Sequence, residues 1–400
     1  MGKVYSCNIF KNFSTTMKKE RWLMIVLTRL LMGILLNYLL LKAIPQGKWG
    51  TNIANWIVGF TKWDYGWYSD IALNGYKTLQ HTAFFPGYPI EIAIGKFFGI
   101  PVQYSSVIIS WIAFIIFGYY FYKLGEENFG KDVAEDALIL LVWNPASIFL
   151  ISGYSESSFM LFTILSFHYY SKYKKDKKDK NIYLTCLFAG ISSLFRLTGV
   201  VTFMAILIDY LWGNIREIRN VKFLLKTVLV CLIGEFGIIS YMIFLKMRFN
   251  NPIAFITAER YWERKIIIPL ESVLVSLYKL VKTPSLFDGN TYVTFVLNDV
   301  VAIFAGLVTV LIVVEISRKK CILTKELVLY MLISFCIAVS TSAGGESPES
   351  VARYIMTIFP LYIFVARKFS ICFIKNILLP VSICFAIIRQ SLFNLGYWFT

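Results

Sequence analysis

Long apolar stretches recur along this chain from residue 22 to residue 396, joined by short polar or basic segments. Backbone that enters hydrocarbon must satisfy its own N–H and C=O groups, which leaves only helices or closed barrels. A spanning helix needs about 20 consecutive apolar residues. Several stretches reach that length, so the sequence predicts an all-α polytopic membrane protein, folded as a single domain over residues 1–400. The predicted spans are 22–44, 105–123, 137–152, 157–172, 181–195, 199–213, 223–247, 291–316, 325–343, 354–369 and 375–396, about eleven in all. Only 16% of the residues are charged, against roughly 25% in soluble domains. The net charge of +16 sits in the joints between spans. There it reads as topology and attraction to anionic lipid, and nucleic acid is excluded as a partner.

The joints Lys172 to Lys180, Arg216 to Lys226, Arg318 to Lys325 and Arg367-Lys368 concentrate the basic residues, which assigns them and the N-terminus to the cytoplasm. Met1 to Arg21 is polar and basic, and the span after it is too long for a signal h-region, so the first span is expected to remain as an anchor. Residues 83–99 are apolar but interrupted by Pro86, Pro89, Glu91 and Lys96. Counting them as a span would place the Lys174–Lys178 run outside. They are expected to form a re-entrant or surface-lying helix in the first outer loop. Cys7, Cys186, Cys231, Cys321, Cys336, Cys372 and Cys384 form no Cys-x-x-Cys pair, and no His-rich cluster accompanies them. Neither a zinc site nor a disulfide framework is expected. Arg29 is expected to snorkel or pair, and Glu235, near the middle of 223–247, to be satisfied by Ser240, Arg196 or backbone.

Between the first two spans lies Trp63-Asp64-Tyr65-Gly66-Trp67-Tyr68, an acid among aromatics that prefer the membrane–water boundary. Asp64 and Asp70 thus sit beside a bilayer surface, either as solvated carboxylates in an aromatic belt or as groups facing a lipid-borne substrate. On a helix their six-residue offset is about 240°, so they do not share a face. The predicted topology puts five unusual features on this same side: the Asp64 loop, Tyr154-Ser155-Glu156, Arg196, the 251–265 segment and Arg353-Tyr354.

The motif Trp63-Asp64-x-x-Trp67-Tyr68-x-x-Ile71-Ala72-x-x-Gly75-Tyr76, then Ala83-Phe84-Phe85-Pro86-x-Tyr88-Pro89, resembles the first-loop signature of the GPI mannosyltransferase II (PIG-V type) family and its bacterial relatives, within the GT-C class of membrane glycosyltransferases. Trp143-Asn144-Pro145 with Tyr154-Ser155-Glu156, Phe195-Arg196-Leu197-Thr198-Gly199, Trp262-x-Arg264 before Pro269, and Arg353-Tyr354 with Phe359-Pro360 resemble its later motifs. The resemblance implies transfer of a sugar, mannose in this family, from a polyprenyl- or dolichyl-phosphate donor to an acceptor hydroxyl, with inversion, on the non-cytoplasmic face.

In that reading Asp64 is the base, Arg196 and Arg353 hold the leaving phosphate, and Tyr354 and His81 contact the donor. Asp70, Tyr154, Glu156, Trp63, Trp67, Arg260 and Trp262 contact acceptor or sugar. Structural alternatives stand beside these roles. Ser155 can cap a helix with Glu156 in its first turn, Arg196 can simply pair with Glu156 or Asp64, and 258–265 can be an amphipathic surface segment. No tightly bound cofactor is expected. Whether a divalent cation held by Asp64, Asp70 and Glu156 takes part is left open. The expected partners are membrane lipid, the lipid-phosphate sugar and a glycan, glycolipid or protein acceptor, in a bacterial cell membrane or, in a eukaryote, the ER membrane. The competing reading is a lipid or lipid-linked sugar transporter using Arg29, Asp209, Glu235 and Glu315, though no inverted repeat is visible. A non-catalytic partner of another transferase is the third.

Overall fold

The first helix, α1 (Arg21–Ala43), has 23 residues. At 1.5 Å per residue it reaches about 35 Å, longer than the hydrocarbon core of about 30 Å. Ile25, Val26, Leu30 and Gly33 recur at helical spacing and face inward, while Leu31, Leu35 and Leu39 are exposed on the other side. An apolar face turned outward along a whole helix suits lipid, not water. The computed structural model describes residues 20–43, 53–283, 289–343 and 350–397. The basic N-terminal segment with Cys7, the start of the first outer loop and Ser347-Pro348-Glu349 lie outside the described residues.

A 3-10 turn (Ile53–Phe60) leads to α2 (Asp64–Asn74) and then α3 (Gly87–Phe97). Eleven residues carry α3 about 16 Å, half a bilayer. Its Tyr88 and Ile92 are fully buried while Ile90, Ile94 and Phe97 are exposed, so it is an amphipathic insertion that does not span. The chain continues through α4 (Val102–Phe129), α5 (Lys131–Val142), α6 (Ile148–Ile151), α7 (Glu156–Asp176), α8 (Asp179–Ser193), α9 (Gly199–Gly213), α10 (Val221–Gly234), α11 (Phe236–Phe249) and α12 (Ala254–Ala258). Strand β1 (Arg264–Ile266), α13 (Glu271–Lys282), α14 (Gly289–Ser317), α15 (Lys325–Val339), β2 (Thr341–Ala343), α16 (Val351–Met356), α17 (Pro360–Lys368) and α18 (Ile371–Asn394) complete it.

The helices do not reproduce eleven simple spans. Among the described residues four helices are long and apolar enough to cross a membrane, namely α1, α4, α14 and α18, with α10 and α11 a fifth if the bent pair counts as one. The expected spans at 181–195, 199–213 and 325–343 are helices of 15 residues each, about 22 Å. The stretch 137–152 is interrupted at 143–147, where Pro145 cannot donate and Asn144 Oδ1 instead accepts the Ala146 N–H at 2.8 Å. The stretch 223–247 bends by 59° at Glu235, which lies between α10 and α11 rather than inside one helix. Ser193 Oγ accepts the freed Ile238 N–H at 3.0 Å, so α8 props the break open. Hydropathy along the sequence registered each of these as apolar but carried no information about bends or shielding by neighbours.

One further departure is local. Among the described residues the fold is all-α except for one antiparallel ribbon, β1 on β2, with Arg264 opposite Ala343 and Ile266 opposite Thr341. Arg29, expected to snorkel or pair, pairs. It is 1% exposed, donates to Ser147 and Gln390 at 2.9 and 2.8 Å, and lies over the Trp143 ring. The six described cysteines are free.

One close approach positions the site. Gly87 N–H donates to Leu194 O at 2.7 Å, tying the start of α3 to the turn that carries Arg196. A Cβ on Gly87 would stand 2.9 Å from that carbonyl oxygen and 3.0 Å from the Phe195 ring. Gly87→Ala is therefore expected to lower stability by about 1–3 kcal/mol, the range for overpacking, measurable as an earlier unfolding transition in detergent.

Candidate active site

Helix α2 opens at Asp64, and Trp63 before it has φ 55°, a rare backbone setting for a bulky aromatic. The Asp64 N–H donates to Tyr154 Oη at 3.3 Å, which fixes the start of α2 against the turn before α7. Asp64 Oδ2 accepts a hydrogen bond of 2.6 Å from Arg353 Nη1 on α16. The same guanidinium brings its Nε to 3.4 Å from Glu156 Oε1, the first residue of α7. Arg196, from the turn between α8 and α9, donates to that same Glu156 oxygen. Four residues spread over 289 positions of sequence thus form one chain of alternating charge, Asp64–Arg353–Glu156–Arg196.

The chain of charges is enclosed. Side-chain exposure is 15% for Asp64, 14% for Arg196, 8% for Arg353 and 1% for Glu156. Two guanidiniums balance two carboxylates, which is what burial of ions demands. The balance of hydrogen bonds is incomplete: among the described residues Glu156 Oε2 is buried without a partner. Tyr354 completes the cluster. Its ring lies 5.0 Å from Arg196, 5.6 Å from Arg353 and 5.7 Å from Arg264, and its hydroxyl accepts from Arg264 Nη1 at 2.6 Å. Arg264 also pairs with Glu259 at 3.2 Å. Burial works against the charge of Arg264, but Tyr354 and Glu259 more than offset it and hold the guanidinium above its ordinary pKa.

A second group of predicted residues lies beside the first. His81 Nδ1 accepts the Lys77 N–H at 3.1 Å and Nε2 faces Asp70 Oδ2 at 3.1 Å, so the ring proton belongs on Nε2. Asp70 also accepts from Asn74 at 2.6 Å. Trp67 connects the two groups through an edge contact to His81, a stack on Phe84 and an edge contact to Trp262, with centroids at 5.6, 5.5 and 5.7 Å.

These contacts bear on the residues and alternatives named from the sequence. Asp70 pairs with His81 and does not join Asp64 and Glu156; among the described residues no group of three or more His, Cys, Asp or Glu is arranged to hold a metal ion. Ser155 makes no side-chain cap and instead shares a 3.0 Å hydrogen bond with Tyr68. Arg196 pairs with Glu156, the structural alternative the sequence left open. The 258–265 segment is not a free surface helix. Its Trp262 packs on Trp67, Arg260 is exposed, and the arginine brought to the cluster is Arg264. The Trp262-x-Arg264 spacing marked that residue, but only pairing of β1 with β2 selects it over Arg260. The intramembrane charges proposed for a transporter do not converge: Asp209 accepts from Tyr170 and Lys174, Glu315 pairs with Lys368, and Glu235 marks the α10–α11 bend.

Residues 23–249, more than half of the chain, match the family Mannosyltransferase (PIG-V). The chain belongs to that family. Its Asp64 motif, Glu156 and Arg196 all fall within the matched region, whereas Arg264 and Arg353 lie beyond it. The chain is similar to GPI alpha-1,6-mannosyltransferase 2 of Mus musculus, at 26% identity over 163 residues, which is 38% of this chain and 32% of that protein. The protein of the same name in Homo sapiens is 24% identical over 163 residues, with the same coverage. The matched stretch spans about a third of the length of these curated relatives. Two solved structures are similar in shape. They are ArnT from Cupriavidus metallidurans bound to undecaprenyl phosphate (TM-score 0.49, 9% identity, 93% of this chain and 76% of that one) and the archaeal oligosaccharyltransferase AglB from Archaeoglobus fulgidus in complex with an inhibitory peptide and a dolichol-phosphate (TM-score 0.46, 12% identity, 96% and 56%).

Proposed function

We propose that this PIG-V-family protein is a membrane mannosyltransferase of GT-C type that moves mannose from a polyprenyl- or dolichyl-phosphate donor to an acceptor hydroxyl, with inversion. The observation that carries the reading is the Asp64–Arg353–Glu156–Arg196 chain, which sets an acid beside two phosphate-sized cationic forks. Asp64 takes the acceptor O–H proton. The acceptor oxygen forms its bond to the anomeric carbon as the carbon–oxygen bond to the phosphate breaks, and the electron pair leaves with the lipid phosphate. Arg353 and Arg196 neutralise that charge, and Arg264 and Tyr354 frame it.

Arg353 occupies only Oδ2 of Asp64, which leaves Oδ1 to take the proton. The incoming phosphate offers Arg353 a second anion to hold. Glu156, with one oxygen unpartnered, then receives an acceptor hydroxyl. Trp67, Phe84 and Trp262 supply a stacking platform for a sugar ring, with His81 and Asp70 as polar contacts at its edge. In this reading the reaction takes place on the non-cytoplasmic face, with the N-terminus in the cytoplasm, in a bacterial cell membrane or, in a eukaryote, the ER membrane; the basic joints between spans support that orientation.

The test uses purified protein in liposomes with radiolabelled mannosyl-phosphoryl-polyprenol and a lipid extract as acceptor. A labelled glycoside whose anomeric configuration is opposite to the donor's is the expected product. Redistribution of donor between leaflets with no glycoside formed would overturn the reading in favour of a transporter.

A further inference from the structure

Helix α7 begins at Glu156 in the site and ends at Asp176. Seventeen residues on from Glu156, about 25 Å along the axis, Tyr173 lines a cleft at the opposite end of the bundle. This cleft has a volume of about 420 Å³, within the roughly 300–1,000 Å³ of small-molecule sites. It is lined by Lys177, Lys222 and Lys226, by the amides of Asn214 and Asn220, and by Tyr173, Tyr210 and Phe223, with Glu217 as the acid in the lining. Lys226 is paired with Asp179. Lys177 lies over the Tyr173 ring at 5.2 Å, and among the described residues neither Lys177 nor Lys222 has a carboxylate partner. Counting Asp179, three ammonium groups face two acids, and the two unpaired ammoniums are both exposed. The aromatic wall is packed: Tyr210 is 2% exposed and stacks on Phe223 with centroids at 5.6 Å.

We infer that this cleft binds the anionic phosphate headgroup of a membrane lipid. The ammoniums and amides would hold phosphate oxygens, and the aromatic wall would hold the carbon skeleton beside them. The surroundings favour a lipid source. Trp212, Ile215, Val221 and Leu225 are all more than 60% exposed beside the cleft, an apolar rim that water does not favour and a membrane interface does. A juxtamembrane basic residue is drawn toward an anionic leaflet. The inference stands whether or not the site at the other end transfers sugar.

The experiment compares wild-type protein with Lys177→Gln/Lys222→Gln in maltoside detergent, using native mass spectrometry to count bound phosphatidylglycerol and calorimetry with inorganic pyrophosphate. Lys319→Gln/Lys320→Gln, which removes equal charge from another joint, is the control, and thermal midpoints establish that each variant is folded. The expected result is retained phosphatidylglycerol on wild type and control and at least fivefold less on Lys177→Gln/Lys222→Gln. Pyrophosphate binding that follows the same pattern without lipid retention would overturn the lipid source and assign the cleft to a soluble phosphate. Equal binding by all three proteins, equal loss in both variants, or no binding by wild type would overturn the site.

Discussion

Asp64→Asn is expected to reduce kcat for mannosyl transfer by about 10²–10⁴-fold, the contribution typical of a positioned general base. The substitution keeps the size of the side chain and one oxygen able to accept from Arg353, which now donates at 2.6 Å. It removes the group able to take a proton. Arg353 keeps Glu156 as a second anion at 3.4 Å, so the fold is expected to survive with a small change in thermal midpoint. Asp70→Asn is the internal control. Asp70 is 45% exposed and faces His81, away from the ion chain, and its loss is expected to cost less than tenfold. Should Asp64→Asn act only through KM, or should the two asparagine variants lose activity equally, Asp64 is a binding residue and not the base.

Arg353→Ala is expected to damage both stability and turnover. It leaves Asp64 without its cation and Glu156 with Arg196 alone, in a cluster whose members are at most 15% exposed. Breaking a buried ion pair by removing one partner costs about 3–5 kcal/mol, which detergent unfolding curves will read directly. Arg353→Lys separates the two effects. An ammonium restores the charge, so much of the stability is expected to return. It cannot reach Asp64 and Glu156 with two arms of one plane or grip a phosphate bidentately, so kcat is expected to stay at least 10²-fold below wild type. Full recovery of turnover in Arg353→Lys would remove the case for a phosphate clamp at this position.

The sequence by itself determined the class of molecule. Apolar stretches near the length of a bilayer, with basic joints, leave helices as the economical solution, because each helix satisfies its own backbone. It also marked that 83–99 would not span, since Pro86, Pro89, Glu91 and Lys96 interrupt its apolar run. The family motifs singled out the segments of the cluster. Tertiary structure alone decided how those segments meet. Arg353 and Asp64 are 289 residues apart, and no local signal states which of two acids an arginine will take when both are in reach. The Trp262-x-Arg264 spacing marked Arg264 alongside Arg260, and the β1–β2 ribbon, formed with residues 341–343, brings Arg264 and not Arg260 to Tyr354. The number of crossings was likewise beyond hydropathy, because a 15-residue helix buried among others is as apolar in sequence as one exposed to lipid. Transfer free energy is a property of each residue, whereas ion pairing and shielding are properties of neighbours that only the folded chain supplies.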